Sequence, residues 1–336
     1  MPGRGLSGLA NVGNTCYLNS CLQALSHTPE LKRLVTQNRR VPHGLRRCVE
    51  SLALVEWRKL QDMMWDADCT IAPHGFVAGL RRVCEEKGVD LDIGTEQNDA
   101  QEFLQFLIEC MHVALGRSVD MTVSGEPQTD QDLLARDCYA SVRGMFENEY
   151  SEVLPVFYGV HVSMVSGRDD SILSTRPEPF SVLSLPIPSG PTTSTLDQCF
   201  DAYCAPCELT GENQYETDAG DKVDATRSLF FWNLPQIMVV LLKRWVYGSR
   251  KDQRLVDAPI DLDLSRHVRG YNPQSFVYSL YAVCNHMGGV GGGHYTAYVR
   301  PDGMDAWYEF NDTLVRRMDP RRVVTPYAYC LFYRKK

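Results

Sequence analysis

The stretch NVGNTCYLNS, residues 11–20, places one cysteine between small polar residues, at the point where an apolar pattern begins. After Cys16 the apolar residues recur at the spacing of one helix face, at Leu18, Cys21, Leu22 and Leu25. This pattern predicts a helix capped by Thr15 or Asn14. A cysteine in its first turn lies near unpaired N–H groups and the helix dipole, which favour the thiolate. Cys16 is therefore a candidate nucleophile, since a structural cysteine usually lies within an apolar run.

Length and composition predict a folded chain with a sizeable core. The chain has 336 residues, enough for one large domain or two smaller ones, and 44% of them are apolar, which argues against extensive disorder. The formal net charge is −8, and no block of lysine or arginine stands out. We therefore expect no nucleic-acid partner, and the acidic balance is compatible with a basic protein substrate.

The twelve cysteines are scattered, and the N-terminal residues lack the apolar region of a signal peptide. Reduced thiols in a cytoplasmic or nuclear protein are the better interpretation. The most apolar run, SLFFWNLPQIMVVLL at residues 228–242, is shorter than the roughly 20 residues that span a bilayer. It also contains Asn233, Pro235 and Gln236. We expect no membrane partner.

The chain divides into a helical half and a strand-rich half. Residues up to about 145 favour helices, and the clearest prediction is TEQNDAQEFLQFLIECMHVAL at residues 95–115, capped by Asn98 or Thr95. Residues 116–134 are polar and predict a surface loop. From about residue 150 the period becomes β-like, beginning with VLPVFYGVHVSMV, while the proline-rich residues 176–195 predict a loop or an edge strand. The order predicts an α+β fold with a cleft between its halves.

A cysteine nucleophile requires an imidazole base and a third group that orients it. His294 follows a glycine-rich stretch, GGVGGG at residues 288–293, which predicts a pliable loop directly before a strand. The next strand, WYEFND at residues 307–312, ends in Asn311 and Asp312. Antiparallel pairing would bring one of these two residues beside His294, where either can accept the imidazole N–H.

The chain resembles the ubiquitin-specific proteases over about residues 7–334, in long motifs that follow the family's order. The cysteine and histidine boxes are GLANVGNTCYLNSCLQAL at 8–25, and GGHYTAYV at 292–299 with WYEFND at 307–312. The other matching segments are TEQNDAQEFL at 95–104, PEPFSVLSLPIP at 177–188 and LPQIMVVLLKRW at 234–245.

The resemblance implies one catalytic domain with an α+β, papain-like cysteine protease fold. Its thumb would comprise about residues 1–145, its fingers 146–230 and its palm, with the histidine box, 231–336. It implies a deubiquitinase that uses no cofactor and acts on conjugates of ubiquitin or a ubiquitin-like modifier. The fingers would hold ubiquitin while its C-terminal tail reaches the cysteine through a narrow channel. We expect a monomer.

By matching position, the resemblance assigns a role to each of five candidate catalytic residues. Cys16 would be the nucleophile and His294 the general base. Asn311, where the family has Asp or Asn, would orient the histidine, and the neighbouring Asp312 could assist. Asn11 would donate a side-chain hydrogen bond to the oxyanion.

The resemblance also implies a set of residues that bind the substrate tail. Asp99 and Gln101 match positions that contact the tail, and an acid suits a basic tail. An equally weighted alternative for Asp99 is an acid at a helix N-terminus, favoured by the dipole. The remaining predicted contacts are Gly292, Gly293 and Tyr295, in the segment that would close over a glycine-ended tail and rearrange on binding.

The chain departs from the family at the tip of the fingers, where many members bind zinc through two CxxC pairs. Gly167 and Asp170 occupy the first pair of positions, and Thr217 and Gly220 the second. CAPC at residues 204–207 supplies two ligands elsewhere, whereas a structural zinc site needs four. We therefore predict no stoichiometric zinc. One equivalent of zinc in the purified protein by elemental analysis would contradict this prediction.

The main alternative is a catalytically weak relative that only binds ubiquitin or a similar modifier. The presence of all four candidate residues Cys16, His294, Asn311 and Asn11 argues against it, because nothing requires a binding module to keep them. A scaffold built around zinc is a poor alternative, because the sequence supplies only two of the four ligands that a structural zinc site needs.

Overall fold

The computed structural model describes residues 4–37, 48–190, 193–246, 250–289 and 292–336. Within these ranges the chain forms eight α-helices, five of them before residue 116. They are α1 (Cys16–Ser26), α2 (Pro29–Gln37), α3 (Glu50–Asp66), α4 (His74–Lys87), α5 (Ala100–Leu115), α6 (Asp130–Phe146), α7 (Val153–Phe157) and α8 (Leu196–Cys204). None of the described helices is long and apolar enough to cross a bilayer.

The same ranges contain twenty strands, and all but two short ones follow residue 158. They are β1 (Gly8–Leu9), β2 (Thr70–Ile71), β3 (Gly159–Gly167), β4 (Ile172–Phe180), β5 (Val182–Pro186), β6 (Thr193–Thr195), β7 (Cys207–Leu209), β8 (Tyr215–Glu216), β9 (Lys222–Val223), β10 (Ala225–Asn233), β11 (Ile237–Lys243), β12 (Trp245–Val246), β13 (Arg250–Lys251), β14 (Leu255–Asp257), β15 (Asp261–Asp263), β16 (Val277–Gly289), β17 (Gly292–Val299), β18 (Trp307–Asn311), β19 (Leu314–Met318) and β20 (Ala328–Lys335).

Two sheets organise the strand-rich half. The larger has eight strands in the order β19-β18-β17-β16-β20-β11-β5, with β15 paired to β16, and the smaller has the order β4-β3-β10-β7. Helices concentrated before strands confirm the α+β class expected from the sequence. The boundaries of a thumb, fingers and palm stay a prediction.

The eight-stranded sheet is covered on both faces, because alternate residues of each strand enter different cores. In β11, Val239 and Leu241 join a core shared with helices α1 to α5. Met238, Val240 and Leu242 face the opposite side, where α8 contributes Leu196 and Phe200. A third, smaller core lies between α6 and the four-stranded sheet. The first of these cores fixes α1 against the strands that carry the histidine box.

Helix α1 is buried along its whole length, not on one stripe only. All eleven of its residues are buried, including the polar Asn19, Gln23 and Ser26. Buried polar groups need hydrogen-bond partners. Gln23 Nε2 donates to Ser7 O at 2.8 Å, and Ser26 Oγ donates to Gln23 O at 3.2 Å. The helix is therefore a central element of the molecule, and its first residue, Cys16, cannot move independently of the core.

Outside the site, the structure differs from the sequence-based expectation in three places. The segment that looked β-like from residue 153 begins as helix α7 and becomes a strand only at Gly159. The predicted polar loop ends at Thr129, where a capping box with Asp132 starts α6. Helix α5 is capped by Asp99, whose side chain accepts from Gln101 N at 2.6 Å, so the prediction of Asn98 or Thr95 was wrong. The proline-rich stretch contributes β4 and β5, each at the edge of its sheet, as expected.

His27, which follows α1, makes the stability of this core depend on pH. Its ring is buried, Nδ1 contacts Gln23 O at 2.9 Å, and burial lowers its pKa to about 4. Because this folded-state pKa is below the unfolded value of about 6.5, protonation favours the unfolded chain. This part of the stability is complete above pH 6.5 and is lost as the pH falls towards 4. We expect it to amount to about 3 kcal/mol.

Urea unfolding at pH 7 and pH 4.5 measures this loss, with a His27→Gln variant as the comparison. The variant should lose less free energy of unfolding between the two pH values, because only the wild-type chain has this imidazole to protonate. Carboxylates contribute equally in both proteins. An identical loss in both would contradict the prediction.

Candidate active site

Cys16 is the first residue of α1 and lies against the start of β17. The residue is 3% exposed, and Thr15 occupies the N-cap position. The Thr15 side chain does not cap the helix; its Oγ1 accepts from Val12 N at 3.0 Å. Asn14, the other predicted cap, has a positive φ of 47° and donates through Nδ2 to Thr95 O at 2.8 Å. These contacts fix the turn that presents the sulfur.

The environment of the Cys16 sulfur opposes ionisation. Burial raises the pKa of the thiol above its ordinary value, and the nearby charge of Asp312 raises it further. The backbone amides of Tyr295, Tyr17 and Cys16 itself lower the pKa but do not offset the burial. The sequence-based expectation that the helix N-terminus favours the thiolate therefore describes one contribution, and burial outweighs it. Ionisation of Cys16 requires a base.

His294 and Asn311 are brought together by adjacent antiparallel strands. Strand β17 pairs with β18, and His294 Nε2 lies 2.7 Å from Asn311 Oδ1. Because this amide oxygen only accepts, the contact places the ring proton on Nε2 and leaves Nδ1 free to accept a proton. The amide of Tyr295, one residue after His294, is among the groups that lower the pKa of Cys16. Within the described residues, however, the sulfur makes no hydrogen bond to the imidazole.

The glycines before His294 belong to strands, which differs from the predicted loop. Gly288 pairs with Gly293 and Gly289 with Gly292, while Val290 and Gly291 lie outside the described residues. Glycine is required at two of these positions. Gly288 has a φ of +118°, and a Cβ at Gly293 would lie 2.3 Å from His286 Nε2. The close approach of Gly293 to His286 therefore fixes the backbone position directly before His294.

Asn11 and Asp312 contact each other, and neither makes a described hydrogen bond to the imidazole. Asn11 is exposed, and its Nδ2 donates to Asp312 Oδ2 at 3.3 Å. Its Oδ1 accepts from Thr15 N at 2.9 Å. The second oxygen of Asp312 accepts from Asn19 Nδ2 at 2.9 Å. Asn19 was missed in the sequence analysis although it lies in the quoted cysteine box, because nothing local marks which face of a buried helix carries a donor.

A groove of about 290 Å³ lies between the loop before α5 and the start of β17. Three of the predicted substrate-binding residues, Asp99, Gly292 and Tyr295, line it. Its other lining residues are Gln97, Asn98, Trp245, His286 and Gly289. Gly293 is next to the groove, and its N–H and C=O both bond the Gln97 side chain, at 2.8 and 3.2 Å. This reciprocal pair connects the helical half with the histidine-box strand, and it was not predicted.

The structure supports the capping alternative for Asp99. One carboxylate oxygen accepts the Gln101 amide, and the other accepts the Tyr329 hydroxyl at 2.5 Å. Gln101 itself is not among the described residues that line the groove, and its side chain contacts Gln105 Oε1 at 3.5 Å. A role for Gln101 in tail binding therefore stays a prediction without a supporting contact.

A buried histidine forms part of the groove and was also missed. His286 stacks on Tyr295 with ring centroids 4.4 Å apart. Lys251 Nζ lies 2.9 Å from its Nδ1 and donates to its carbonyl at 2.6 Å. Burial, together with the charge of Lys251, lowers the pKa of His286 to about 4, so the ring is neutral at pH 7. His286 therefore serves as an uncharged wall of the groove.

No group of three or more histidine, cysteine or acidic side chains is arranged to hold a metal within the described ranges. Gly167 ends β3, Asp170 lies in the following turn with a φ of 61°, and Thr217 and Gly220 lie in the turn between β8 and β9. The absence of zinc stays a prediction for elemental analysis.

The sequence as a whole is similar to known proteins. A family model described as ubiquitin carboxyl-terminal hydrolase matches residues 7–333. Ubiquitin carboxyl-terminal hydrolase 2 of Homo sapiens is 33% identical over 344 residues, covering 98% of this chain and 55% of that protein. Ubiquitin carboxyl-terminal hydrolase Usp2 of Drosophila melanogaster is 34% identical over 342 residues, covering 98% and 35%. The chain thus spans about half of the human relative's length and about a third of the fly relative's.

The fold is similar to solved structures as well. A chain of the SAGA DUB module Ubp8/Sgf11/Sus1/Sgf73 bound to monoubiquitin matches with a TM-score of 0.76 and 25% identity. The match covers 100% of this chain and 71% of that chain.

Proposed function

Because the chain belongs to the ubiquitin carboxyl-terminal hydrolase family, among the ubiquitin-specific proteases, we propose that it cleaves isopeptide bonds at the C-terminal glycine of ubiquitin. One observation carries the proposal. The imidazole of His294 is oriented by Asn311 at 2.7 Å, at the start of the strand against which the Cys16 thiol packs. A thiol, a base and an orienting amide are the groups that thiol-dependent acyl transfer requires.

In the first step, His294 accepts the thiol proton of Cys16 on Nδ1. Its other ring proton stays on Nε2, which donates a hydrogen bond to Asn311 Oδ1, and this keeps the ring in the form that can accept at Nδ1. The resulting imidazolium offsets the cost of forming a thiolate in a buried position. Asn311 is neutral, so it orients the ring without adding charge, and the thiolate itself stabilises the imidazolium.

The thiolate then attacks the carbonyl carbon of the terminal glycine, and the carbonyl π electrons move to oxygen. The side-chain amide of Asn11 and the backbone N–H of Cys16 are the proposed donors to this oxyanion. One such donor contributes roughly 3 kcal/mol, or about a hundredfold or more in rate. Asn11 suits this role because it is an exposed residue whose Oδ1 is held by Thr15, and only one of its two N–H groups is used by Asp312.

Collapse of the tetrahedral species breaks the C–N bond, and the imidazolium donates its proton to the leaving lysine amine. The product is a thioester between Cys16 and ubiquitin. His294, neutral again, then takes a proton from water, and hydroxide attacks the thioester carbonyl. The C–S bond then breaks and the imidazolium returns its proton to the departing sulfur, which regenerates the enzyme and releases ubiquitin with a free C-terminal carboxyl group.

We propose that the substrate tail occupies the groove beside Tyr295 and Gly292. Gly289 and Gly292, which line the groove, have no side chains, so the backbone of an extended tail can approach the strand closely. A tail that ends in glycine can use this close approach because it has no side chain of its own there. The proposed channel would therefore favour glycine at the scissile end.

The thumb, fingers and palm limits, a monomeric state and a cytoplasmic or nuclear location remain parts of this proposal. So does the expectation of no nucleic-acid or membrane partner. All twelve cysteines are free thiols, which supports a reducing compartment.

The proposal is tested by comparing fluorogenic substrates made from ubiquitin and from related modifiers, each with a C-terminal amide-linked fluorophore. We expect cleavage of the ubiquitin substrate, with much slower cleavage of modifiers whose tails differ. Labelling by a ubiquitin C-terminal electrophile separates catalysis from mere binding. A chain that binds ubiquitin but neither cleaves the substrate nor reacts with the electrophile would contradict the proposal.

A further inference from the structure

Asp312 is positioned by its backbone as well as by its side chain. It lies in the two-residue turn between β18 and β19, where Asn311 pairs with Leu314, and has a positive φ of 50°. Its carbonyl accepts from Leu9 N at 2.9 Å. The ring of His294 is engaged by Asn311 instead. The described contacts of the Asp312 carboxylate therefore direct it to the N-terminal segment and not to the base.

The two oxygens of this carboxylate accept from two different asparagines. Oδ1 accepts from Asn19 Nδ2 at 2.9 Å, and Oδ2 accepts from Asn11 Nδ2 at 3.3 Å. At its other end, Asn11 Oδ1 accepts from Thr15 N and Thr15 Oγ1, at 2.9 and 3.2 Å. The Asn11 amide is thus held at both ends, with one of its two N–H groups left for a ligand.

The side-chain amide of Asn19 acts as a hydrogen-bond donor inside the core. It is 2% exposed, and its Nδ2 also lies 3.2 Å from Leu9 O and 3.3 Å from Ala10 O. Every one of these neighbours is an acceptor, so the nitrogen must face them. Its Oδ1 is buried and has no partner among the described residues. Packing alone would favour an apolar side chain here, because a half-satisfied buried amide costs stability.

We propose that Asn19 is a positioning residue for the oxyanion donor: it fixes the carboxylate of Asp312, which in turn fixes the amide of Asn11. The inference rests on the proposed function, because it concerns the donor for that reaction. Asn19 touches no substrate. It acts through two hydrogen bonds in series, from the core to the exposed edge of the site.

The kinetic consequence follows from when the donor is used. Asn11 serves the oxygen only once negative charge develops on it, so a misplaced Asn11 lowers kcat and leaves KM nearly unchanged. A displacement of the donor of about 1 Å is enough to cost up to roughly a hundredfold. We expect Asn19→Leu, which keeps the volume and removes the donor, to lower kcat about tenfold.

A double-mutant cycle tests the connection between the two asparagines, with the fluorogenic ubiquitin substrate as the probe. Asn19→Leu should lower kcat about tenfold in the wild-type chain and less than about twofold in an Asn11→Ala background, because residues that act as a unit are not additive. A tenfold loss in both backgrounds would overturn the inference, since Asn19 would then act independently of Asn11.

A second readout separates positioning from damage to the site. Alkylation of Cys16 by iodoacetamide displaces iodide from carbon and develops no oxyanion, so its plateau rate at high pH should be unchanged in Asn19→Leu. Peptide-resolved mass spectrometry isolates Cys16 from the other cysteines. An equal loss in alkylation and cleavage would overturn the inference in favour of a distorted site.

Asp312→Leu in the same cycle covers the case in which Asn19→Leu does not fold, because Asp312 is only half-buried. It should show the same lack of additivity with Asn11→Ala. A wild-type chain that cleaves no ubiquitin substrate refutes the proposed function itself. An active wild type with additive losses refutes only the positioning by Asn19.

Discussion

Cys16→Ala is expected to abolish both cleavage of the ubiquitin substrate and labelling by the ubiquitin electrophile. The loss in kcat should be at least about 10⁴-fold, the scale seen when the nucleophile of a catalytic triad is removed. Cys21 and Cys284, which belong to the same core, cannot form the thioester in its place because they have no exposed surface. Initial rates and intact-mass spectrometry after electrophile treatment measure the two effects.

Cys69→Ala is the matched control, because Cys69 is an exposed cysteine of the same chain. It should keep wild-type rates and add one ubiquitin adduct. Calorimetric titration should show that Cys16→Ala still binds ubiquitin, since loss of one sulfur leaves the rest of the surface intact. Persistent labelling of Cys16→Ala would place the nucleophile elsewhere and contradict the assignment.

His294→Ala is expected to lower kcat by about 10⁴-fold at pH 7, on the scale of losing the base of a triad. Burial raises the pKa of Cys16, so at neutral pH the thiol stays protonated when no base is present. The residual rate of the variant should therefore rise with pH up to the raised thiol pKa. The wild-type rate should already be high at neutral pH. A pH–rate profile for both proteins shows the difference.

His74→Ala provides the matched control, because His74 is an exposed histidine at the start of α4. Its profile should coincide with that of the wild type. If His294→Ala kept the wild-type profile, another group would be the base and the proposed mechanism would fail. His286 is a poor substitute, because its Nδ1 contacts Lys251 and its ring is stacked against Tyr295.

Much of the fold was predictable because the signals for it are local. The helix from Cys16 and the helix over residues 100–115 have apolar periods of three and four. Apolar and polar residues alternate along the strands that carry His294 and Asn311, and only a short connection separates the two strands. Antiparallel pairing was therefore the simplest expectation. Such patterns depend only on residues that are close in sequence, so they can be recognised in the sequence without the structure.

The errors fall where a distant contact outweighs a local preference. Asn98 and Thr95 are good capping residues, yet Asp99 caps α5, and its second oxygen is held by Tyr329, 230 positions later. The glycines before His294 suggested a loop, yet they pair as strands, and His286 in the neighbouring strand leaves no room for a Cβ at Gly293. In each case the deciding atom lies in another element of the fold.

By itself, the sequence predicted which residues would supply the chemistry: a thiol at a helix start, an imidazole at the start of a strand, and an amide at the end of the next strand. Only the tertiary structure decided how these groups behave. Burial raises the pKa of Cys16, and Asn19 and Asp312, 293 positions apart, meet to hold Asn11. The reason is physical: residue type and local period follow from the chain, whereas desolvation and hydrogen bonds between distant segments exist only once the core has assembled.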